Sequence, residues 1–126
     1  MDKHVYDVIL RALLYEENGE WNAHALEMDV VGSGPTPEKA ESELKSAVFC
    51  QISFAAQMND VGLIVHPAPK EYFKRWKEAQ QLTLTGLLEK SPDLCKKVRA
   101  IFIRIARKEV EEAVKRSSFV SEPAHA

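Results

Sequence analysis

Carboxylate side chains on or near predicted strands are the residues of this chain best suited to chemistry. Asp7 lies in the first predicted strand, and Glu27, Asp29 and Asp60 are the acidic residues that would accompany it. A nuclease that uses two metal ions needs several carboxylates converging on one point. The spacing of these four residues does not indicate convergence. We therefore interpret Asp7 as a solvated strand residue and keep metal-dependent nuclease activity as an alternative.

Histidine, serine and cysteine residues form no recognisable reactive motif. The four histidines are far apart in sequence and are predicted to be surface or half-buried imidazoles, at His4, His24, His66 and His125. Ser33 lacks the strand-to-helix turn of a hydrolase nucleophile, and the chain has no phosphate-binding glycine loop. Cys50 and Cys95 share no CxxC spacing and are predicted to be free thiols in or near the core. We predict no catalytic residue, no metal ligand and no cofactor.

Phe49 is a candidate anchor for a partner protein. On a helical wheel it lies opposite the predicted core face of its helix, so a monomer would leave its aromatic ring in water. Glu41 and Glu43 lie nearby and would add negative charge. The pattern fits an interface with a partner or a second copy, and it fits a single exposed aromatic residue equally well.

Basic residues recur toward the carboxyl end at spacings of seven, four and seven, at Lys97, Arg104, Lys108 and Lys115. On one helix this spacing places them on one side. Such a stripe can follow nucleic-acid phosphates, pair with an acidic surface of a neighbouring subunit, or form the solvated face of an amphipathic helix. The last of these is the commonest, and the pattern alone does not choose between them.

The elements that must position these residues begin with a hairpin. Residues 5–15 alternate with a period of two, which predicts a strand with one face buried and the other partly covered. Asn18-Gly19 predicts a tight turn, and residues 21–28 predict the paired strand. Val30-Val31 predicts a brief third strand, while Gly32 and Gly34 are expected to let the chain turn back across the sheet.

A long helix follows this predicted sheet. Thr36-Pro37-Glu38 is typical of a helix start, and Asn59-Asp60 is expected to end the helix. One face of the helix is expected to lie on the sheet and consists of Ala40, Leu44, Ala47, Val48, Phe54, Ala55 and Met58. Residues 61–65, a short apolar run, predict a further strand at the centre of the sheet.

The second half of the chain is predicted to be helical. Residues 70–80 predict an amphipathic helix, residues 81–90 are compatible with strand or helix, and Ser91-Pro92 predicts the start of a second long helix reaching about residue 116. Its apolar stripe needs a surface to cover it, which predicts self-association. The residues assigned to oligomerisation are Tyr72, Trp76, Val98, Ile101, Phe102 and Ile105.

Composition limits the class of protein. The 126 residues fit one domain or a domain with an appendage, and 45% of them are hydrophobic. No apolar run has the length of a membrane span and the amino terminus lacks a signal-type apolar core, so we expect a cytoplasmic protein. The net charge is -2, but charge is distributed unevenly along the chain: residues 1–69 are acidic and residues 70–126 are basic.

The order of these motifs over residues 5–69 resembles the HicB antitoxin family. The matching residues are Gly19-Glu20-Trp21, the run from Gly34 to Ala40, Leu44, Ala47-Val48, and Pro67 with Pro69. The resemblance implies a partial ribonuclease-H-like fold without catalysis. It also implies binding and neutralisation of a small basic HicA-type mRNA interferase, with operator binding by a carboxy-terminal segment in many members.

Two departures from the family pattern bear on function. Asp29-Val30-Val31 stands where many relatives have a Leu-Pro-Gly-Cys-like turn, and beyond Lys70 no helix-turn-helix or ribbon-helix-helix segment can be matched. We therefore predict an α+β protein, with a β-β-β-α-β module at residues 1–69 and a helical extension at residues 70–126. A stand-alone oligomeric adaptor without a toxin partner is the other interpretation of the same pattern.

Overall fold

The computed structural model describes residues 7–89 and 98–121. The elements, in chain order, are β1 (Val8–Glu17), β2 (Glu20–Ala25), β3 (Val30–Gly34), α1 (Pro37–Met58), a 3-10 turn (Val61–Leu63), α2 (Lys70–Glu89), β4 (Val98–Ile105) and α3 (Arg107–Ser121). The strands form one sheet in the order β3-β2-β1-β4, and every neighbouring pair is antiparallel. The predicted α+β class is confirmed.

The predicted hairpin is present and sets the register of the sheet. Asn18 and Gly19 have φ angles of 55° and 78°, which only a few residue types adopt without strain. The two-residue turn places Glu17 opposite Glu20 and Glu16 opposite Trp21. Alternation then directs even-numbered β1 residues to one face of the sheet and odd-numbered residues to the other.

The glycines of β3 have a different role from the predicted one. Among the described glycines only Gly19 has a positive φ, so Gly32 and Gly34 do not act as turn residues. They lie within the strand, opposite Ala23 and Trp21. A Cβ atom on Gly32 would lie 2.3 Å from the backbone nitrogen of Leu44, so α1 packs directly on the strand backbone. Close approach, and not chain reversal, requires glycine here.

Helix α1 begins and ends at the predicted signals. The Thr36 hydroxyl accepts a hydrogen bond from the Lys39 amide at 3.1 Å, Pro37 is the first helical residue, and Asn59 ends the helix in the left-handed conformation. Ala40, Leu44, Val48 and Ala55 are buried as expected, together with Ile52. The prediction was wrong for Phe54 and Met58, which are largely exposed near the end of the helix.

Two predicted elements are wrong. Residues 61–65 form no strand, since Val61–Leu63 is a 3-10 turn. The fourth strand is Val98–Ile105, where a helix was predicted, and it pairs with β1 along Val8 to Tyr15. Helix α3 begins only at Arg107. Helix α2 continues to Glu89, so residues 81–89 are helical, whereas Lys90 and the predicted helix start at Ser91-Pro92 lie outside the described residues.

Helices cover both faces of the sheet and give it three layers. On one face, called the α1 face, even-numbered β1 residues pack against α1 and α3 through Leu44, Val48 and Val110. On the opposite α2 face, Leu13 packs against Trp76 and other residues of α2. The sequence predicted a single helix on one face of the sheet, with self-association to cover the apolar stripe of the last predicted helix. In the structure α2 partly covers that second face within the same chain.

The described helices include none that is both long enough and apolar enough to cross a lipid bilayer.

Candidate functional site

Asp7 serves as a link between the sheet and α3. Its carboxylate accepts hydrogen bonds from Arg104 Nε at 2.9 Å, from Arg104 Nη2 at 2.6 Å and from the Arg107 amide at 2.6 Å. The hydrogen bonds from Arg104 and then from Arg107 lower the pKa of Asp7 below its ordinary value of 3.8. Oδ2 is therefore engaged by Arg104 of β4, and Oδ1 is engaged by the first residue of α3.

The other acidic residues considered with Asp7 have separate partners. Glu27 accepts from the Arg11 amide at 2.8 Å, Asp29 meets the Nε2 atom of His24 at 2.6 Å, and Asp60 accepts from the Gly62 amide at 2.9 Å. Among residues 7–89 and 98–121, no group of three or more His, Cys, Asp or Glu side chains could hold a metal ion. The four carboxylates are thus not brought together.

His24 is buried, although a surface or half-buried position was predicted. Its side chain packs edge-on against Tyr72, with ring centroids 4.8 Å apart. Asp29 has a φ of 53°, and this backbone conformation lets its carboxylate reach the ring. Asp29 and His66 also line an open cavity of about 270 Å³ between the β2-β3 turn and the residues after α1. Apolar Met28, Val30 and Leu63 line the same cavity together with Gln51.

Phe49 is partly buried, so its predicted full exposure is wrong. It packs against the core beneath α1 and lines a small cavity with Glu109 of α3, because α3 covers this side of α1. The Glu41 carboxylate lies 3.5 Å from Lys45 Nζ, and the Glu43 carboxylate lies 3.2 Å from Lys39 Nζ. These ion pairs within α1 offset the negative charge of Glu41 and Glu43 that was expected to contribute to partner binding.

Cys50, the neighbour of Phe49 in sequence, is exposed and not in the core. It lines the same small cavity as Phe49. Cys95 lies outside the described residues.

The residues assigned to oligomerisation lie on two different faces. Trp76 and Ile105 are buried within the chain itself, and Tyr72, Val98 and Ile101 are partly buried against the two cores. Phe102 is 59% exposed and meets Trp76 edge-on. A single apolar stripe does not exist because a strand directs Phe102 and Ile101 to opposite faces.

The predicted basic stripe is divided between elements. Arg104 is on β4 and pairs with Asp7, while Lys108 and Lys115 are exposed on α3. Lys97 lies outside the described residues. Arg104 therefore does not share a helical face with Lys108 and Lys115.

An acidic group that we did not single out from the sequence lies at the end of the hairpin. Glu16, Glu17 and Glu20 are exposed, and no ion pair joins them to another described residue. Glu17 and Glu20 are directly opposite, so two like charges face each other across the strands. The two-residue Asn18-Gly19 turn fixes the register in which Glu17 faces Glu20. That turn was therefore the sequence signal that could have identified the glutamate pair.

The acidic hairpin end, defined as Glu16, Glu17 and Glu20, adjoins an edge of the sheet. Trp21 pairs with Gly34 at the last residue of β3, which places Glu20 just beyond the end of that strand. Strand β3 pairs with β2 alone among the described strands. Val31 is 47% exposed on the α2 face of this edge. The arrangement offers backbone hydrogen-bonding groups next to concentrated negative charge, which suits binding to a basic protein.

Comparison with family models, with curated proteins and with solved structures found no match to this chain. The resemblance to HicB antitoxins therefore stays a prediction that rests on the residues of the sequence.

Proposed function

We propose that this chain is a cytoplasmic, non-catalytic HicB-like protein that binds and neutralises a small basic mRNA interferase. The observation that carries the proposal is the acidic hairpin end beside the outer edge of β3, which pairs with no described strand except β2. Three carboxylates without ion pairs among the described residues would attract a basic protein over several ångströms of water. The free edge then supplies directional backbone contacts.

The placement of Asp7 supports a binding role over a nuclease role. A metal ion would have to compete with the Arg104 guanidinium and with the Arg107 amide for the same carboxylate. Glu27 and Asp29 are engaged elsewhere, by Arg11 and His24. These three carboxylates therefore hold parts of the chain together.

The proposal does not extend to DNA. The sequence suggested operator binding through a basic stripe, but of its described residues Arg104 is paired on β4, and Lys108 and Lys115 are exposed on α3. These two residues are interspersed with acidic neighbours, including Glu109 and Glu112. A surface of mixed charge attracts phosphates weakly.

The test is recovery of the native protein from its own cells, followed by an activity assay on whatever copurifies. We expect a small basic protein at fixed stoichiometry, which cleaves mRNA when separated and stops cleaving when this chain is added back. Recovery of a homo-oligomer alone would refute the antitoxin role and favour the adaptor. Metal-dependent RNA cleavage by this chain itself, lost in Asp7→Asn while the fold is retained, would refute the non-catalytic assignment.

A further inference from the structure

The two edges of the sheet differ in how they are protected. At the β4 edge, the indole N–H of Trp76 donates to the Ile101 carbonyl at 3.1 Å, and the exposed Arg99 and Arg104 add charge to the strand. Charged side chains and covering groups are the usual means by which sheets avoid edge pairing. Strand β3 contains neither: its residues Val30–Gly34 include no charged residue and no proline. Among the described residues, its backbone pairs only with β2.

The β3 edge is also held in an extended conformation by the helix behind it. Because α1 lies directly on the backbone of Gly32, a shift of the strand toward α1 would bring it into contact with Leu44. Val30 packs against the core at one end of the strand, and Trp21 pairs with Gly34 at the other. A strand fixed in this way loses little freedom when another strand is added.

The charges around β3 indicate what kind of strand would be added. Glu17 and Glu20 lie beyond its carboxyl end and Asp29 lies just before its amino end. Lys39, which lies against Gly34, is already paired with Glu43 at 3.2 Å. Antiparallel pairing of β3 with a second copy would bring the acidic hairpin end of each copy toward Asp29 of the other. Like charges would oppose that dimer, whereas a basic segment would be attracted.

We propose that the outer edge of β3 accepts an extended segment of a basic protein as a fifth strand, with a Lys or Arg side chain that reaches past the end of β3 toward Glu20 and is attracted by the charge of Glu17 on the next strand. This inference rests on the proposed function and specifies how the partner is bound. It assigns affinity to backbone hydrogen bonds along Val30–Gly34 and specificity to the facing glutamate pair.

The first pair of variants tests the charge. Glu17→Gln with Glu20→Gln removes the two charges and also removes their mutual repulsion, so the fold is expected to be at least as stable. Glu71→Gln with Glu78→Gln makes the same change in net charge on the exposed side of α2 and serves as the matched control. With the copurified basic protein as the probe, we expect the affinity to fall about tenfold for the hairpin pair and to stay unchanged for the control.

The second pair of variants tests the edge. Val31→Lys places a charge on β3, while Phe54→Lys places one at a position of closely similar exposure on α1, 48% against 47%. Lysine on an edge strand opposes strand addition, so only Val31→Lys should lose binding. Hydrogen exchange provides the direct readout, because added pairing would slow exchange of the β3 amides in the complex.

The outcomes separate this inference from the proposed function. If no basic protein copurifies with the wild type, both fail. If one copurifies and is inhibited by this chain as expected, but binds Val31→Lys as well as it binds Phe54→Lys and leaves β3 amide exchange unchanged, the antitoxin role stands and the fifth strand is refuted. Protection of β3 that rises with the concentration of the isolated protein would instead identify a second copy as the occupant and overturn the proposal.

Discussion

Gly32→Ala is the substitution whose effect follows most directly from the packing of α1 on β3. The added Cβ would lie 2.3 Å from the Leu44 nitrogen and 2.7 Å from both the Glu43 carbonyl carbon and the Leu44 Cα. All three are backbone atoms of a helix, so no side-chain rotation relieves the contact. Either α1 moves away from the sheet or the strand bends outward.

The cost can be estimated from the required displacement. To reach the 3.4 Å of ordinary contact, α1 and β3 must separate by about 1 Å. Overpacking of this kind costs about 1–3 kcal/mol, and the lower entropy of the unfolded alanine chain offsets about 0.4–1 kcal/mol of it. Leu44 and Val48, both fully buried, would lose contacts as well. We expect a net loss of about 2 kcal/mol in the free energy of unfolding.

Urea denaturation followed by circular dichroism measures this loss. With a typical dependence on urea for a small protein, the midpoint should fall by about 1 M. Gly62→Ala is the control, because the Cβ there meets only the Asp60 Oδ1 atom at 3.1 Å. An unchanged or raised midpoint for Gly32→Ala would show that α1 does not lie directly on the strand backbone.

Three further predictions concern hydrogen bonds made by single side chains. Thr36→Ala removes the side-chain acceptor for the Lys39 amide and should lower stability by about 1 kcal/mol in urea denaturation, whereas Thr36→Ser should be close to neutral. Trp76→Phe keeps an aromatic ring on the α2 face but loses the donor to the Ile101 carbonyl, so we expect a loss of about 1 kcal/mol; an unchanged urea midpoint would mean that water replaces the indole. Asp7→Asn should destabilise the protein near neutral pH, and the difference from wild type should shrink as the pH falls through the pKa of the folded state. The sign follows because the folded pKa of Asp7 lies below 3.8, so its stabilising contribution is present above the unfolded pKa and lost in acid. Urea midpoints of both proteins across this pH range would reveal a constant difference if the Arg104 contact does not depend on charge.

The candidate site was only partly predictable from the sequence. The register of an Asn-Gly hairpin is local information, so residue order alone is enough to place Glu17 opposite Glu20. The partner of Asp7 was not predictable, because Arg104 is 97 positions away and its strand had been predicted as a helix. Phe49 was misjudged for a similar reason, since its exposure depends on where α3 packs.

The sequence by itself determined the elements whose signals are short-range. The hairpin needs positive φ at Asn18 and Gly19, and α1 needs the cap at Thr36 and the left-handed residue Asn59, so their positions follow from residue type. Such signals act within a few residues and do not depend on the rest of the fold.

Tertiary structure decided the remainder, because short apolar runs fit more than one element. Residues 98–105 carry apolar side chains that suit a helix, but Ile101, Ile103 and Ile105 also alternate as in a strand. When this segment pairs with β1, side chains on both of its faces pack into a hydrophobic core. The run at residues 61–65 pairs with none of the described strands, and Val61–Leu63 forms a 3-10 turn. Burial of apolar area and satisfaction of backbone hydrogen bonds are properties of the whole chain, and they selected β4 as the fourth strand.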